Sequence, residues 1–203
     1  MILSVGRCTV QATVPFFALL AFLLLADRSG AAVCGLAAAA FHEGGHLLAM
    51  AGCGCPPKRI RFTAFGAEIQ TGNGADSYGQ DALIAAAGPA ANFVLWIGAV
   101  YWAACFGVSL PVRLFGLSNA LLAVFNLLPV EPLDGGQALF SLLSVFLKRE
   151  QARRIIRLIS FFTLVPVAAL GFLILFRSRW NLTLLLAALY LLFLLLMKKD
   201  RYL

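Results

Sequence analysis

Both histidines of this chain, His42 and His46, fall inside one pentapeptide, HEGGH. Residues four apart share a helical face, so two imidazoles at this spacing can grip one divalent cation. Glu43 follows the first histidine directly, where it can take up and return protons. The chemistry this predicts is hydrolysis by metal-activated water, with zinc as the metal. The competing reading is a pair of satisfied interior histidines beside a paired glutamate. It does not explain why the chain places its two histidines together and none elsewhere.

Two histidines do not complete such a site, because catalytic zinc normally has three protein ligands and an open position for water. Among the nine acidic residues, Asp27, Glu68, Asp76, Asp81, Glu150 and Asp200 sit in loops or tails, and Glu43 is needed as the base. Glu131 and Asp134 remain. Both lie in NLLPVEPLDGG, residues 126–136, where Pro129 and Pro132 prevent a continuous helix and Gly135 and Gly136 permit tight turns of the backbone. On the residues alone either carboxylate can supply the third ligand.

The segments that must hold these groups are apolar. Of the 203 residues, 62% are hydrophobic and 12% charged, and the mean hydropathy is +0.91. That composition belongs to an integral membrane protein. Six candidate spans come near the ~20 residues needed to cross the hydrocarbon: residues 10–26, 31–51, 82–106, 114–128, 155–176 and 180–197. The fourth is short, and a further apolar piece, residues 138–147, follows it after the break. Only short polar joints divide these runs, which predicts a single membrane domain over residues 1–203. The first span lacks the flanks of a secretory signal, with Arg7 before it and Asp27, Arg28 and Ser29 after it, and is expected to be retained. HEGGH lies within the second span. An ionisable cluster at such depth is costly unless it lines a wet cavity or binds something.

Basic residues set the expected orientation. Arg7, Lys58, Arg59, Arg61, Lys148, Arg149, Arg153, Arg154, Arg157, Lys198, Lys199 and Arg201 fall on one side, against Arg28, Arg113, Arg177 and Arg179 on the other. Twelve against four puts both termini in the cytoplasm and HEGGH near the cytoplasmic face. The net charge of +7 is then accounted for by topology and anionic headgroups of the lipid bilayer. No basic stripe with interleaved aromatics is present, so nucleic acid is not an expected partner. Cys53 and Cys55, just after the second span, would stay reduced on that side and are read as loop residues, with soft-metal binding or oxidation sensing the less favoured roles.

After the second span, RIRFTAFGAEIQT (residues 59–71) alternates Ile60, Phe62 and Ala64 with Arg59, Arg61 and Thr63 before Gly66. This is strand periodicity with a turn, and predicts a short β-hairpin whose edge could hold a substrate segment extended. Helical carbonyls are hidden in their own hydrogen bonds, so a membrane substrate must be extended before hydrolysis.

Taken together, three motifs resemble those of the site-2 proteases, which are intramembrane zinc metalloproteases. HEGGH corresponds to the family's HExxH. GPAAN at residues 88–92 looks like its glycine-proline-asparagine motif, and residues 126–135 fit its asparagine, proline, aspartate-glycine signature. The resemblance covers the core from the second to the fourth span and looks closest to the compact, sporulation-type branch. It implies an all-α polytopic fold of about six transmembrane helices, with a broken helix carrying the third ligand and a hairpin after the second helix. By the same resemblance His42, His46 and Asp134 are zinc ligands, Glu43 is the general base and acid, and Asn126 positions substrate. Gly44 stands where the family usually has a bulkier residue. Asn92, flanked by Ala85, Ala86, Ala87, Ala90 and Ala91, is read as a helix-packing position in preference to a functional one.

The resemblance further implies a membrane-associated protein substrate, such as a transcription regulator or its inhibitor, in a bacterial cytoplasmic membrane. No PDZ-like insertion and no nucleotide-sensing domain of the cystathionine-synthase type is visible. Two other classes compete: a metal-binding membrane transporter, and a non-catalytic membrane chaperone with the same fold. Transport gives no reason for a glutamate after the first histidine, and no internal repeat is evident. An inactive relative would be expected to lose His42, Glu43, His46 or Asp134, and all four stand. Ser141 and Ser144 have no free histidine partner, which disfavours a serine mechanism.

Overall fold

A computed structural model of the protein describes residues 2–5, 8–63, 66–71, 77–178 and 183–197. In chain order the elements are β1 (Ile2–Val5), β2 (Cys8–Ala12), α1 (Val14–Ala26), α2 (Ala31–Gly52), β3 (Pro57–Thr63), β4 (Gly66–Thr71), α3 (Tyr78–Phe106), α4 (Leu110–Asn126), α5 (Asp134–Phe146), α6 (Arg149–Ser178) and α7 (Thr183–Met197). The chain divides into two compact units, Met1–Phe125 and Asn126–Leu203.

In the first unit the expected hairpin is present as β3 and β4, antiparallel, with Ile60 opposite Ile69 and Phe62 opposite Ala67. Ala64 and Phe65, part of the expected strand and turn, lie outside the described residues. The hairpin is not alone. Four strands form one sheet in the order β1-β2-β3-β4, with β2 parallel to β3, so β3 is an interior strand and offers no edge. Residues 10–12, expected to begin the first span, instead belong to β2. Thr9 and Val10 are β-branched, and Pro15 suits only the first turn of a helix, so α1 starts at Val14. The Thr13 backbone N–H and hydroxyl both donate to the Phe62 carbonyl at 3.1 Å, and the Phe16 ring stands 5.4 Å from that of Phe62. These contacts tie the start of α1 to the sheet.

Asp27 caps the entry to α2. One of its carboxylate oxygens accepts from the Ser29 N–H at 2.9 Å and the Ser29 hydroxyl at 2.6 Å, and the other accepts from the Ala32 N–H at 2.7 Å. Helix starts carry donors with no partner inside the helix, and this carboxylate satisfies one of them. At the far end Cys53 and Cys55 close the helix. The Cys53 and Cys55 N–H groups donate to the Ala49 and Met50 carbonyls, and Gly54 takes a positive φ of 72° between them.

Against α2, helix α3 presents Ile84, Gly88 and Asn92, buried and four residues apart. Its other faces expose Phe93, Val94, Ile97, Val100, Tyr101 and Trp102, which suits contact with lipid. Gly45 sets the approach of the two helices: a Cβ there would come within 2.6 Å of the Ala87 carbonyl oxygen and 2.9 Å of the Ala91 Cβ. Gly44 has nothing within 4 Å, so a bulkier residue would fit at that position.

In the second unit an irregular segment, residues 127–133, leads into α5, and α6 packs against both α5 and α7. Gly135 and Gly136 are helical rather than turn residues, which corrects the role expected of them. A Cβ on Gly135 would meet the carbonyls of Leu127 and Leu128, the latter at 2.7 Å, and one on Gly136 would meet Val130 and the Glu131 nitrogen. The paired glycines thus let the irregular segment fold back over the first turn of α5. Ser160 on α6, fully buried, accepts from the Glu131 N–H at 2.9 Å and donates to the Ile156 carbonyl at 2.7 Å.

Helices α3 and α6 are each long and apolar enough to cross a bilayer, whereas α1 and α4 are apolar but shorter. At 13 residues α1 extends about 20 Å, less than the ~30 Å hydrocarbon thickness. Trp180, in the sixth expected span, lies outside the described residues.

Candidate metal centre

Helix α2 sets His42 and His46 one turn apart, both buried, with their Nε2 atoms 3.3 Å from each other. Two nitrogens each 2.0–2.1 Å from one tetrahedral zinc would be about 3.3 Å apart. The pair therefore has the separation of two zinc ligands.

The opposite nitrogens are held by α3. The His46 Nδ1 lies 2.7 Å from the backbone carbonyl of Ile84, which can only accept, so His46 donates there. The His42 Nδ1 lies 2.6 Å from the Asn92 side-chain oxygen. The Asn92 amide nitrogen is already committed, donating to the Ala38 carbonyl at 2.9 Å and to the Asn119 side-chain oxygen at 2.8 Å. Asn92 must therefore accept from His42. With both protons on Nδ1, both rings carry a lone pair on Nε2, the atom a metal binds. Donation from the far nitrogen to a carbonyl or amide oxygen is the usual support of a zinc-binding histidine. Two such lone pairs 3.3 Å apart can bind one cation together, so the donor set fits zinc.

Gly88 makes the space. A Cβ at this position would come within 2.6 Å of the His46 Cε1 and 2.9 Å of the His42 Cε1. The GPAAN motif thus becomes intelligible: Gly88 leaves room for the rings, and Asn92, one turn on, fixes one of them. Packing alone, the preferred expectation for Asn92, is corrected. An amide within an apolar segment was the available signal. Asn119, also fully buried, and the Ile84 carbonyl were missed by the sequence reading, the second because a backbone acceptor leaves no mark on residue identity.

Glu43 follows His42 on α2 and is half-buried. In the second unit Asn126 ends α4 and Asp134 is the first residue of α5, at either end of the irregular segment. Both are half-buried. Asp134 stands in the first turn of its helix, where the macrodipole favours a negative charge. Glu131 lies inside the segment, tied through its backbone to Ser160. Ser144 donates its hydroxyl to the Phe140 carbonyl, a structural use of that side chain.

Similar proteins are peptidases and metalloproteases. Residues 102–167 match the family described as Peptidase family M50. A Synechocystis protein provisionally named a zinc metalloprotease is 34% identical over 105 residues, half of this chain. The match covers only 28% of that relative's length. Among solved structures, the site-2 protease of Methanocaldococcus jannaschii superposes with a TM-score of 0.66 at 20% identity, covering 100% of this chain and 96% of that one. At that identity the likeness concerns the fold.

Proposed function

We propose that this chain, which belongs to the site-2 protease family, is a zinc endopeptidase that hydrolyses a peptide bond in or beside a membrane segment of a protein substrate. The observation that carries the reading is the pair of Nε2 atoms 3.3 Å apart with both Nδ1 atoms anchored to oxygen acceptors. His42 and His46 supply two ligands, and Asp134 supplies the third. Two imidazoles and one carboxylate form a donor set well known for catalytic zinc.

Zinc held by these residues would lower the pKa of a bound water towards neutrality and would polarise the scissile carbonyl. Glu43, beside His42, takes the water's proton and returns it to the leaving amine. Asn126 orients the substrate strand. The apolar exteriors of α3 and α6 support a site within a bilayer, and the distribution of basic residues supports several spans, cytoplasmic termini and an active site near that face. A membrane-bound transcription regulator or its inhibitor is the substrate class favoured by the family resemblance.

The experiment compares wild type with Glu43→Gln. Purified wild type should carry about one zinc per chain. Glu43→Gln should retain that zinc, while the new protein N-termini that appear in membranes of cells expressing wild type should vanish. A transporter or chaperone would generate no such termini in either case. Metal-free wild type, or equal cleavage by both proteins, would overturn the reading.

A further inference from the structure

Asn119 hydrogen-bonds Asn92, which in turn binds the His42 ring. We infer that Asn119 is a positioning residue for the metal centre, acting through Asn92. The inference deepens the zinc reading above and rests on it.

Asn92 and Asn119 are both completely buried. A side-chain amide has an oxygen that accepts and a nitrogen that donates, and it can be turned end for end in the same space. What fixes the direction of this pair is the backbone. The Asn119 nitrogen donates at 2.8 Å to the carbonyl of Phe115, one turn earlier on α4. A carbonyl can only accept, so the Asn119 oxygen is the end that faces Asn92. The Asn92 nitrogen gives its two hydrogens to that oxygen and to the Ala38 carbonyl. Only the Asn92 oxygen is left for His42, and the ring must donate to it from Nδ1.

Turning Asn92 over shows what the arrangement prevents. Its oxygen would then confront two acceptors, Ala38 and Asn119, and its nitrogen would demand that His42 Nδ1 accept. The ring proton would move to Nε2 and remove the lone pair needed for the metal. Ala38 alone opposes that turn with one acceptor, and Asn119 provides the second. With both amides fully buried, water is not at hand to replace a lost partner, so an acceptor facing an acceptor costs more than it would at a surface. A fully buried asparagine in a largely apolar helix is itself costly, and this role accounts for it.

The test uses whole protein with 15N-labelled histidine, His42 being identified by loss of its signals in His42→Ala. In zinc-free wild type, His42 should show a protonated Nδ1 and an unprotonated Nε2. Asn119→Leu should give a mixture of tautomers and weaken zinc binding, measured by competition with a chelator, by about tenfold or more. Asn119→Asp, as the neutral acid, keeps a donor for the Phe115 carbonyl, offers Asn92 an acceptor again and should restore both. An Nε2-protonated His42 in wild type overturns the inference, as does a folded Asn119→Leu protein with wild-type tautomer and zinc affinity. Should Asn119→Leu fail to fold, the wild-type tautomer and Asn119→Asp decide, and loss of the Nδ1 proton in a folded Asn119→Asp protein also overturns it. The zinc-free measurement stands apart from function. A wild type with Nδ1-protonated His42 that binds no zinc would defeat the proposed protease and still support Asn119's control of the ring.

Discussion

Gly88 and His46 share a space that only one side chain can fill. The His46 ring lies where a methyl group on Gly88 would point, with its Cε1 2.6 Å from that position. Gly88→Ala should force both imidazoles from their rotamers while leaving α3 helical, since alanine favours helix over glycine. We expect zinc affinity to fall on the order of tenfold or more, with membrane insertion and helical content unchanged. Isothermal titration of zinc alongside circular dichroism checks both halves. Wild-type affinity in Gly88→Ala would mean that the rings have slack the contact distances do not suggest.

The choice of third ligand is tested by a pair of substitutions. Asp134→Ala should strip zinc and abolish cleavage together, whereas Glu131→Ala should leave the metal in place. The tie from the Glu131 backbone N–H to Ser160 survives loss of the Glu131 side chain, so the irregular segment should keep its course in that variant. Zinc content by atomic emission decides. Loss of metal in Glu131→Ala with retention in Asp134→Ala would name the other carboxylate.

Phe62→Pro should disrupt folding rather than substrate presentation alone. Phe62 pairs with Ala67 on one side and Ala12 on the other, and its carbonyl receives two hydrogen bonds from Thr13. Proline is poorly tolerated in an interior strand. The expected outcome is faster proteolysis of the first unit and reduced yield of folded protein. A stable Phe62→Pro protein would show that the β2–β3 pairing contributes little.

Asp27 gives a pH signature outside the apolar segments. The Ser29 hydroxyl, then the Ala32 and Ser29 backbone N–H groups, hold its carboxyl below the usual carboxylate range. A group whose pKa is depressed on folding stabilises the folded state above its unfolded pKa of ~3.9, and that stabilisation is lost as pH falls through the folded value. Asp27→Ala should therefore melt below wild type at neutral pH, with the gap persisting to about pH 4 and closing on further acidification. A gap that widens in acid would contradict the cap.

Much of this was legible in the chain itself. The i, i+4 spacing of His42 and His46 fixes their shared face wherever the helix lies, because helical geometry depends only on local backbone repetition. Pro129 and Pro132 removed donors from any continuous helix, and α4 does stop at Asn126 with α5 resuming at Asp134. Alternation around Ile60 and Phe62 gave the hairpin, for the same local reason.

What the sequence could not supply depends on partners distant along the chain. Nothing local to residues 8–12 says that they pair with β3, since strand pairing is a non-local contact and the same apolar pattern suits the start of a helix. Gly135 and Gly136 look like turn residues until the carbonyls of Leu127 and Val130 are seen against them. Asn92 was ambiguous between packing and function because an amide's meaning lies in what faces each of its ends. Only the tertiary structure brought Ala38, Asn119 and His42 to those ends, 54, 27 and 50 residues away, and with them fixed the direction of the hydrogen bonds that Asn92 makes. The sequence determined which groups could bind a metal. The fold decided which nitrogen of each ring would be offered to it, because proton placement on an imidazole follows the acceptor at its other side.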